Sequence, residues 1–379
     1  MGSDVVIVGA GVIGLSCALR CADAGTTVTV VDPEPGRGAS WAAAGMLAPV
    51  SELHYGEDAL LALNLVSSRR WPGWAESLAD RGIEVGYIRC GSLMVARDAD
   101  DAAELRRLLK AQLDLGLTAE WLRGSQAREV EPALAPSTRG AIAVASDHQV
   151  DNRALVDGLL TLLGRHCGVD IVHDRAAELT REGQRVTGVR LEDGSTADAD
   201  WVVMAAGVGM PQIGGLPVTL PQIRPVKGQL LHLRSVTGPL ATANLRGTEV
   251  YIVSRPDGRI VVGATVEEKG YDIQVTAGGV SQLLRAAWEL LPGVYECVLV
   301  QTTAGLRPGS PDNAPLLGPV EDMEGLILAT GHYRNGVLLS PLTADIVAGL
   351  VTNQGQDGGD HPQLDLTAFQ PGRFNTTKS

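Results

Sequence analysis

The sequence DVVIVGAGVIG at residues 4–14 decides the fold of this chain. Residues 5–8 of this stretch are apolar and β-branched, which predicts a buried strand, and residues 15–24 have the pattern of a helix. A second apolar run, residues 27–31, ends at Asp32. A strand, a glycine-rich turn, a helix and an acidic residue at the end of the next strand predict a βαβ unit that binds a dinucleotide.

Each residue type in this unit has a physical reason. Gly9 permits a tight turn, Gly11 lets a pyrophosphate approach the backbone, and Gly14 allows the helix to pack closely against the strand. The helix N-terminus offers free N–H groups to phosphate, and Asp32 can accept hydrogen bonds from a ribose. The pattern does not separate NAD from FAD, and a glycine-rich turn without a ligand is the alternative interpretation.

Three further segments add to this prediction. Residues 37–46 are dense in small side chains and could run beneath a bulky planar ring, although a surface loop has a similar composition. Residues 325–336 predict a buried strand, a glycine turn and a helix that begins near Gly336, where the helix dipole would stabilise an anionic reduced flavin. Residues 200–207 form a similar apolar strand that ends in glycine, which we place in the same sheet.

Two arginines are candidates for carboxylate binding. Arg307 lies in AGLRPG, residues 304–309, which we interpret as a Gly/Pro turn, and Arg334 follows the glycine turn after the last predicted strand. The guanidinium fork suits a carboxylate, which it can bind through two parallel hydrogen bonds. For either arginine alone, a solvated surface position is the alternative.

Composition excludes several classes of function. The chain has 379 residues, a net charge of -13 and a pI near 5.0, which argues against a nucleic-acid partner. No apolar run approaches the roughly 18 residues needed to cross a bilayer, and the first residues do not have the pattern of a signal peptide. The five cysteines are scattered, which indicates a reducing compartment, so we predict a cytoplasmic protein. Because the seven histidines are also dispersed, we predict no metal centre.

Several segments together resemble a known family. They are the glycine-rich turn and residues 40–47, 225–228, 251–253, 262–265, 304–309 and 331–341. These segments resemble the bacterial glycine oxidases of the ThiO type, within the FAD-dependent superfamily of D-amino acid oxidase and sarcosine oxidase. The resemblance extends over nearly the whole chain, as far as residues 371–374.

The resemblance implies an α/β fold with two parts. A discontinuous Rossmann-like FAD-binding domain would comprise residues 1–80, 145–215 and 300–374, a substrate-binding domain with an antiparallel sheet would comprise residues 81–144 and 216–299, and residues 375–379 would form a flexible tail. No cysteine follows Arg307, so we predict non-covalent FAD.

The resemblance also implies the site residues. Arg307 and Arg334 would bind the substrate carboxylate, and Tyr251 and Met46 would line the same pocket. Glu249 and Val266 stand where histidine and methionine are expected, so pocket size and the preference for glycine depend on them. The implied cofactor-binding residues are Gly9, Gly11, Val12, Ile13, Gly14, Asp32, Pro33, Ala39, Ser40, Ala44, Gly45, Met46, Ala176, Gly207, His332, Tyr333, Arg334, Asn335, Gly336, Val337 and Leu338.

The implied reaction is oxidative deamination of glycine or a close small amino acid. The imine would hydrolyse to glyoxylate and ammonia or enter a biosynthetic route such as thiazole formation for thiamine, and O2 would be reduced to H2O2. The alternatives are a sarcosine or small D-amino acid oxidase, a dehydrogenase that passes electrons to a quinone or carrier, and a non-catalytic flavin-fold binding protein. The expected partners are the substrate and O2, with neither nucleic acid nor membrane, and the resemblance implies a homo-oligomer, a tetramer.

Overall fold

The computed structural model describes residues 2–352 and 365–375, and the predicted tail beyond Asn375 lies outside them. The helices, in chain order, are α1 Val12–Asp23, α2 Ala39–Ala42, α3 Asp58–Asp80, α4 Ala99–Asp114, α5 Gly124–Val130, α6 Asn152–Leu163, α7 Ala277–Leu290 and α8 Gly336–Val351. Short 3-10 helices lie at Gly207–Gln212, Pro292–Glu296, Thr367–Phe369 and Pro371–Phe374.

The strands are shorter on average than the helices and form three sheets. In chain order they are β1 Ser3–Val8, β2 Val28–Val31, β3 Met46–Leu47, β4 Ser92–Ala96, β5 Glu120–Arg123, β6 Gly140–Val144, β7 His148–Gln149, β8 Val169–Val172, β9 Ala176–Glu182, β10 Arg185–Leu191, β11 Thr196–Met204, β12 Arg224–Arg234, β13 Asn244–Arg246, β14 Tyr251–Ser254, β15 Arg259–Gly263, β16 Val298–Gly309, β17 Leu316–Val320 and β18 Met323–Thr330.

The first sheet has a parallel centre. Strands β8, β2, β1, β11 and β18 run parallel in that order, with β17 antiparallel at one edge and the β9–β10 hairpin beside β11 and β18. Residues 5–8 of β1 are buried because helices cover one face of the sheet and the hairpin covers the other. This burial on both faces explains why the strand is a continuous apolar run. The predicted α/β, Rossmann-like fold is confirmed.

Helices α1, α3, α6 and α8 pack together on this sheet. The sequence predicts that Pro72 breaks or bends α3. The helix is not broken there and runs from Asp58 to Asp80. A proline inside a helix costs roughly 3 kcal/mol. The buried side chains of Trp71 and Trp74 offset that cost, and the Trp71 Nε1–H donates to the carbonyl of Leu338 in α8 at 2.9 Å.

The second sheet is antiparallel except between β4 and β13, in the order β16, β12, β15, β14, β13, β4, β6, β5. Helix α7 packs on one of its faces. The prediction of a Gly/Pro turn around Arg307 is wrong, because this residue lies in β16 and is paired with Val226 of β12. Strand β16 is an edge strand, where Pro308 can stand without an N–H donor. Residues 300–309, which the sequence assigned to the cofactor domain, therefore lie in the second sheet.

Candidate functional site

A cavity of about 600 Å³ lies between the loops at the ends of the first sheet and one face of the second sheet. Its volume is in the range of small-molecule and cofactor sites. Most of the residues predicted from the sequence line it. They are Gly9, Gly11, Val12, Ile13, Asp32, Ala39, Ser40, Ala44, Gly45, Met46, Gly207, Glu249, Tyr251, Val266, Arg307, His332, Tyr333, Arg334, Gly336 and Val337.

Five predicted cofactor residues are outside this lining: Gly14, Pro33, Ala176, Asn335 and Leu338. Gly14 is a packing residue, because a Cβ there would lie 1.8 Å from the carbonyl oxygen of Gly9. The Leu338 carbonyl accepts hydrogen bonds from α3. Pro33 is exposed and Ala176 is buried in β9. Contact of these residues with the cofactor stays a prediction.

The glycine-rich turn has no room for side chains. Gly9 has a φ of +105°, and a Cβ there would lie 2.5 Å from the carbonyl oxygen of Ala205. A left-handed φ and a close backbone neighbour both require glycine. The turn therefore brings β1, the end of β11 and the start of α1 close together. Without side chains, its backbone is accessible from the cavity.

Asp32 ties this turn to the end of β2. Its Oδ2 accepts a hydrogen bond from the N–H of Ala10 at 2.7 Å, and its Oδ1 accepts from the N–H of Glu34 at 2.8 Å. A carboxylate has about four acceptor positions, so capacity remains for a ribose hydroxyl. Asp32 thus has a structural function that the sequence did not reveal.

Replacing Asp32 by alanine is expected to weaken FAD retention by roughly 1 to 3 kcal/mol, because a ribose acceptor and the tie to Ala10 are lost together. The measurement is the dissociation constant of FAD from apoprotein, followed by flavin fluorescence. Asp32→Asn keeps one acceptor oxygen and should fall between the parent and Asp32→Ala. Parental affinity in Asp32→Ala would contradict the assigned contact.

The end of β18 and the start of α8 contain polar groups without partners. Thr330, the last residue of β18, lines the cavity and is 2% exposed, yet its Oγ1 has no hydrogen-bond partner. Nδ2 of the buried Asn335 also has no partner, although this residue lies outside the cavity lining. Helix α8 begins here without a side-chain cap. Buried polar groups are normally satisfied, so the loop fits a ligand with donors and acceptors, such as a flavin ring. Burial lowers the pKa of His332 to about 3, so its imidazole is neutral.

The other part of the cavity, which we call the carboxylate end, contains Arg246, Tyr251, Arg307 and Arg334. The Arg307 guanidinium donates to the carbonyl oxygen of Thr265 at 3.2 Å and lies 3.4 Å from that of Lys227. It forms no ion pair with any acidic side chain of the described residues. Arg307 is therefore a cation in a cavity without a counter-charge of its own.

The other two arginines are already paired. Arg334 contacts Glu57 at 2.5 Å, and Arg246 contacts Glu52 at 2.6 Å. These pairs join residues 277 and 194 positions apart. Glu52, Glu57 and Arg246 are not among the residues predicted from the sequence, since nothing in the local sequence indicates such distant partners. Binding of a substrate carboxylate by Arg334 stays a prediction. The substrate carboxylate would compete with the Glu57 carboxylate for the Arg334 guanidinium group.

Two glycines, Gly263 and Gly228, make room for the side chains of Tyr251 and Arg307. Tyr251 lies opposite Gly263 across β14 and β15, and a Cβ at Gly263 would lie 2.3 Å from the tyrosine Oη. A Cβ at Gly228 would lie 2.4 Å from Nη2 of Arg307. Burial raises the pKa of Tyr251 to about 12, with the Arg307 charge acting in the opposite direction, so the hydroxyl stays a hydrogen-bond donor at neutral pH.

Tyr251→Phe is expected to weaken substrate handling more than flavin binding. Losing one hydrogen bond to the carboxylate should cost about 1 kcal/mol, a few-fold in kcat/KM. Steady-state kinetics and FAD titration on the same preparation give both quantities. An apoprotein that no longer rebinds FAD would show that Tyr251 has a structural function instead.

Comparison with known proteins agrees with this geometry. Residues 4–350 match the family described as "FAD dependent oxidoreductase". The chain belongs to this FAD-dependent oxidoreductase family. The predictions of the family and of FAD as the cofactor are confirmed. The turn at Gly9, Asp32 and the loop before α8 are the parts of the cavity that we expect to hold FAD.

Similar proteins match nearly the whole chain. A bifunctional ThiO/ThiG protein of Synechocystis is 36% identical over 99% of this chain, and the chain spans about half (54%) of that relative. A glycine oxidase of Pseudomonas putida is 36% identical over 98% of this chain and 99% of its own length. The crystal structure of glycine oxidase from Geobacillus kaustophilus has a TM-score of 0.89 at 33% identity, covering 97% of this chain and 98% of that chain.

The described residues contain neither a metal-binding cluster nor a membrane-spanning helix. Within residues 2–352 and 365–375, no three His, Cys, Asp or Glu side chains are grouped so that they could hold a metal ion. Over the same ranges, no helix has the length and apolar character needed to cross a membrane.

Proposed function

We propose that the protein is an FAD-dependent oxidase that deaminates glycine or a close small amino acid. The observation that carries this proposal is Arg307, an arginine in the cavity without an acidic partner among the described residues, beside the Tyr251 hydroxyl. A buried carboxylate needs a charged hydrogen-bond donor to offset its desolvation. The relatives named glycine oxidase agree with the prediction made from the sequence.

The proposed reaction converts glycine, O2 and water to glyoxylate, ammonia and H2O2. When bound, FAD accepts the two electrons released at the α-carbon and passes them to O2. The chain's own residues position the substrate, because Arg307 and Tyr251 fix the carboxylate and thereby the α-carbon. The amine must be neutral for its lone pair to assist, so the rate should rise with pH while the substrate amine loses its proton.

A sarcosine or small D-amino acid oxidase is the second candidate. Glu249 and Val266 both line the cavity, and Val266 is 67% exposed. These residues stand where the resemblance predicts histidine and methionine. The cavity could therefore accept a substrate with a small substituent on the nitrogen or on the α-carbon of glycine. A substrate panel of glycine, sarcosine and D-alanine with peroxide detection separates the two candidates.

The fusion of ThiO to ThiG in the cyanobacterial relative supports a biosynthetic use of the imine. We accordingly propose the thiazole of thiamine or a similar product as the destination. A cytoplasmic location and assembly into a homo-oligomer belong to this proposal as well. Gel filtration with light scattering tests the oligomeric state.

The purified protein should be yellow, and glycine added without oxygen should bleach it. Steady oxygen uptake with stoichiometric peroxide distinguishes an oxidase from a dehydrogenase that uses a quinone or carrier. Bleaching without oxygen uptake would favour the dehydrogenase, and absence of bleaching by every amino acid would favour a binding protein. Acid precipitation should release all the flavin, since the cofactor is expected to be non-covalent.

A further inference from the structure

The carboxylate end holds more cations than one carboxylate requires. Arg246, Arg307 and Arg334 all line the cavity, while Glu52 and Glu57 each neutralise one of them. Of these three arginines, Arg307 alone has no acidic partner among the described residues, which matches a substrate with one carboxylate. Glu249 also lines the cavity without an ion pair in the described residues, and its negative charge would further disfavour a second carboxylate.

Glu52 has a central position in this arrangement. Its side chain pairs with Arg246, and its backbone carbonyl accepts a hydrogen bond from Arg334. Arg246 lies opposite Tyr251 across β13 and β14, so the two side chains are neighbours on one face of the sheet. Tyr251 also interacts with Arg307. The Glu52–Arg246 pair is thus adjacent to the group that would bind the substrate carboxylate.

We propose that Glu52 is a specificity-determining residue that restricts the site to substrates with one carboxylate. It does so by keeping Arg246 in an ion pair, so that this arginine is not available to a second carboxylate. The proposal rests on the proposed function, since it concerns the substrate of the same site.

The physical reason is the cost of desolvation. The Glu52 and Arg246 side chains are only 15% and 21% exposed, so this pair is largely removed from water. A second substrate carboxylate would either enter without a counter-charge or displace Glu52 and leave that carboxylate unpaired. Both outcomes are unfavourable for a buried charge. Without Glu52, Arg246 would become the unpaired group and would attract an anion.

Iminodiacetate is the appropriate probe, because it is glycine with a second carboxymethyl group on nitrogen. Its oxidation breaks the same type of C–H bond, next to a carboxylate. Iminodiacetate, O2 and water would give glyoxylate, glycine and H2O2, so the same peroxide assay measures both substrates. Because iminodiacetate also has a substituted nitrogen, sarcosine, which has an N-methyl group and no second carboxylate, is measured beside it as the reference for the substituent. Initial rates exclude the peroxide that would arise from the product glycine.

The experiment measures kcat/KM for glycine and iminodiacetate in the holoenzyme and in Glu52→Gln. The ratio of iminodiacetate to glycine is expected to be low in the parent and to rise by tenfold or more in the variant. In Glu52→Gln/Arg246→Gln the ratio should return toward the parental value, because the released arginine is absent. Glu289→Gln is the matched control, since Glu289 pairs with Arg97 at 3.0 Å and neither residue lines this cavity. It removes one carboxylate from an ion pair but releases no arginine into the cavity.

Each outcome decides the proposal. An unchanged ratio in Glu52→Gln with full FAD content, or an equal rise in Glu289→Gln, would overturn it. Glu52→Ala replaces Glu52→Gln if the latter does not fold. A parent that oxidises iminodiacetate as well as glycine would overturn the proposed role of Glu52 while leaving the oxidase function in place.

If D-alanine is oxidised and glycine is not, the proposed glycine activity is wrong. The ratio of kcat/KM for D-aspartate to that for D-alanine then tests whether Glu52 excludes a second carboxylate. If no amino acid is oxidised, the dissociation constants of acetate and malonate, measured from changes in the flavin spectrum, test the role of Glu52 without turnover.

Discussion

Replacing Arg307 by alanine is expected to lower kcat/KM for glycine by on the order of hundredfold, since a charge-assisted bond of roughly 1.5 to 3 kcal/mol is lost and tenfold corresponds to about 1.4 kcal/mol. The effect is large because Arg307 has no acidic partner in the described residues, so its charge is fully available to the substrate. FAD content should stay parental, because Arg307 lies in the second sheet. Arg307→Lys should restore activity only partly, since an ammonium cannot reproduce the guanidinium fork.

The comparison variant for this experiment is Arg334→Ala. Arg334 is already bound to Glu57, so its removal should cost less in kcat/KM, about tenfold, and should loosen FAD modestly because its backbone belongs to the loop before α8. An amine without a carboxylate should be a poor substrate whose rate the Arg307 change hardly alters. Parental kcat/KM for glycine in both variants would refute carboxylate binding at this end of the cavity and, with it, the inferred substrate class.

Gly228→Ala is expected to lower kcat/KM by roughly tenfold to hundredfold through displacement of Arg307. The added Cβ would lie 2.4 to 2.6 Å from three atoms of the guanidinium group, closer than atoms in contact can approach. The end of an arginine side chain can move, so the fold should survive while the carboxylate contact is lost. Most of the effect should appear in KM, which steady-state kinetics with glycine would reveal.

Gly247→Ala is the matched control for this change. Gly247 lines the same cavity, and the nearest atom to an added Cβ there is 3.6 Å away, an ordinary contact. Its kinetics should stay close to those of the parent. Equal losses in the two variants would mean that any added methyl group disturbs the cavity, and Gly228 would then have no special relation to Arg307.

The local sequence determined the cofactor-binding half of this protein. The strand, turn and helix at residues 4–23 follow from short-range causes: an apolar run, glycines at fixed spacing and an acidic residue at the next strand end. Helix α8 begins at Gly336, as the sequence predicts, for the same reason. Such features depend on backbone conformations within one supersecondary unit, which neighbouring residues specify.

Tertiary structure alone decided the carboxylate end. The AGLRPG segment has the composition of a turn, yet pairing with β12 makes it a strand and places Arg307 over Gly228. The pairs of Glu52 with Arg246 and of Glu57 with Arg334 join parts of the chain that are far apart in sequence. Register between strands and the meeting of distant loops depend on packing across the whole chain. The sequence could therefore name Arg307 and Arg334 as cations, but only the fold shows which of them already has a counter-charge.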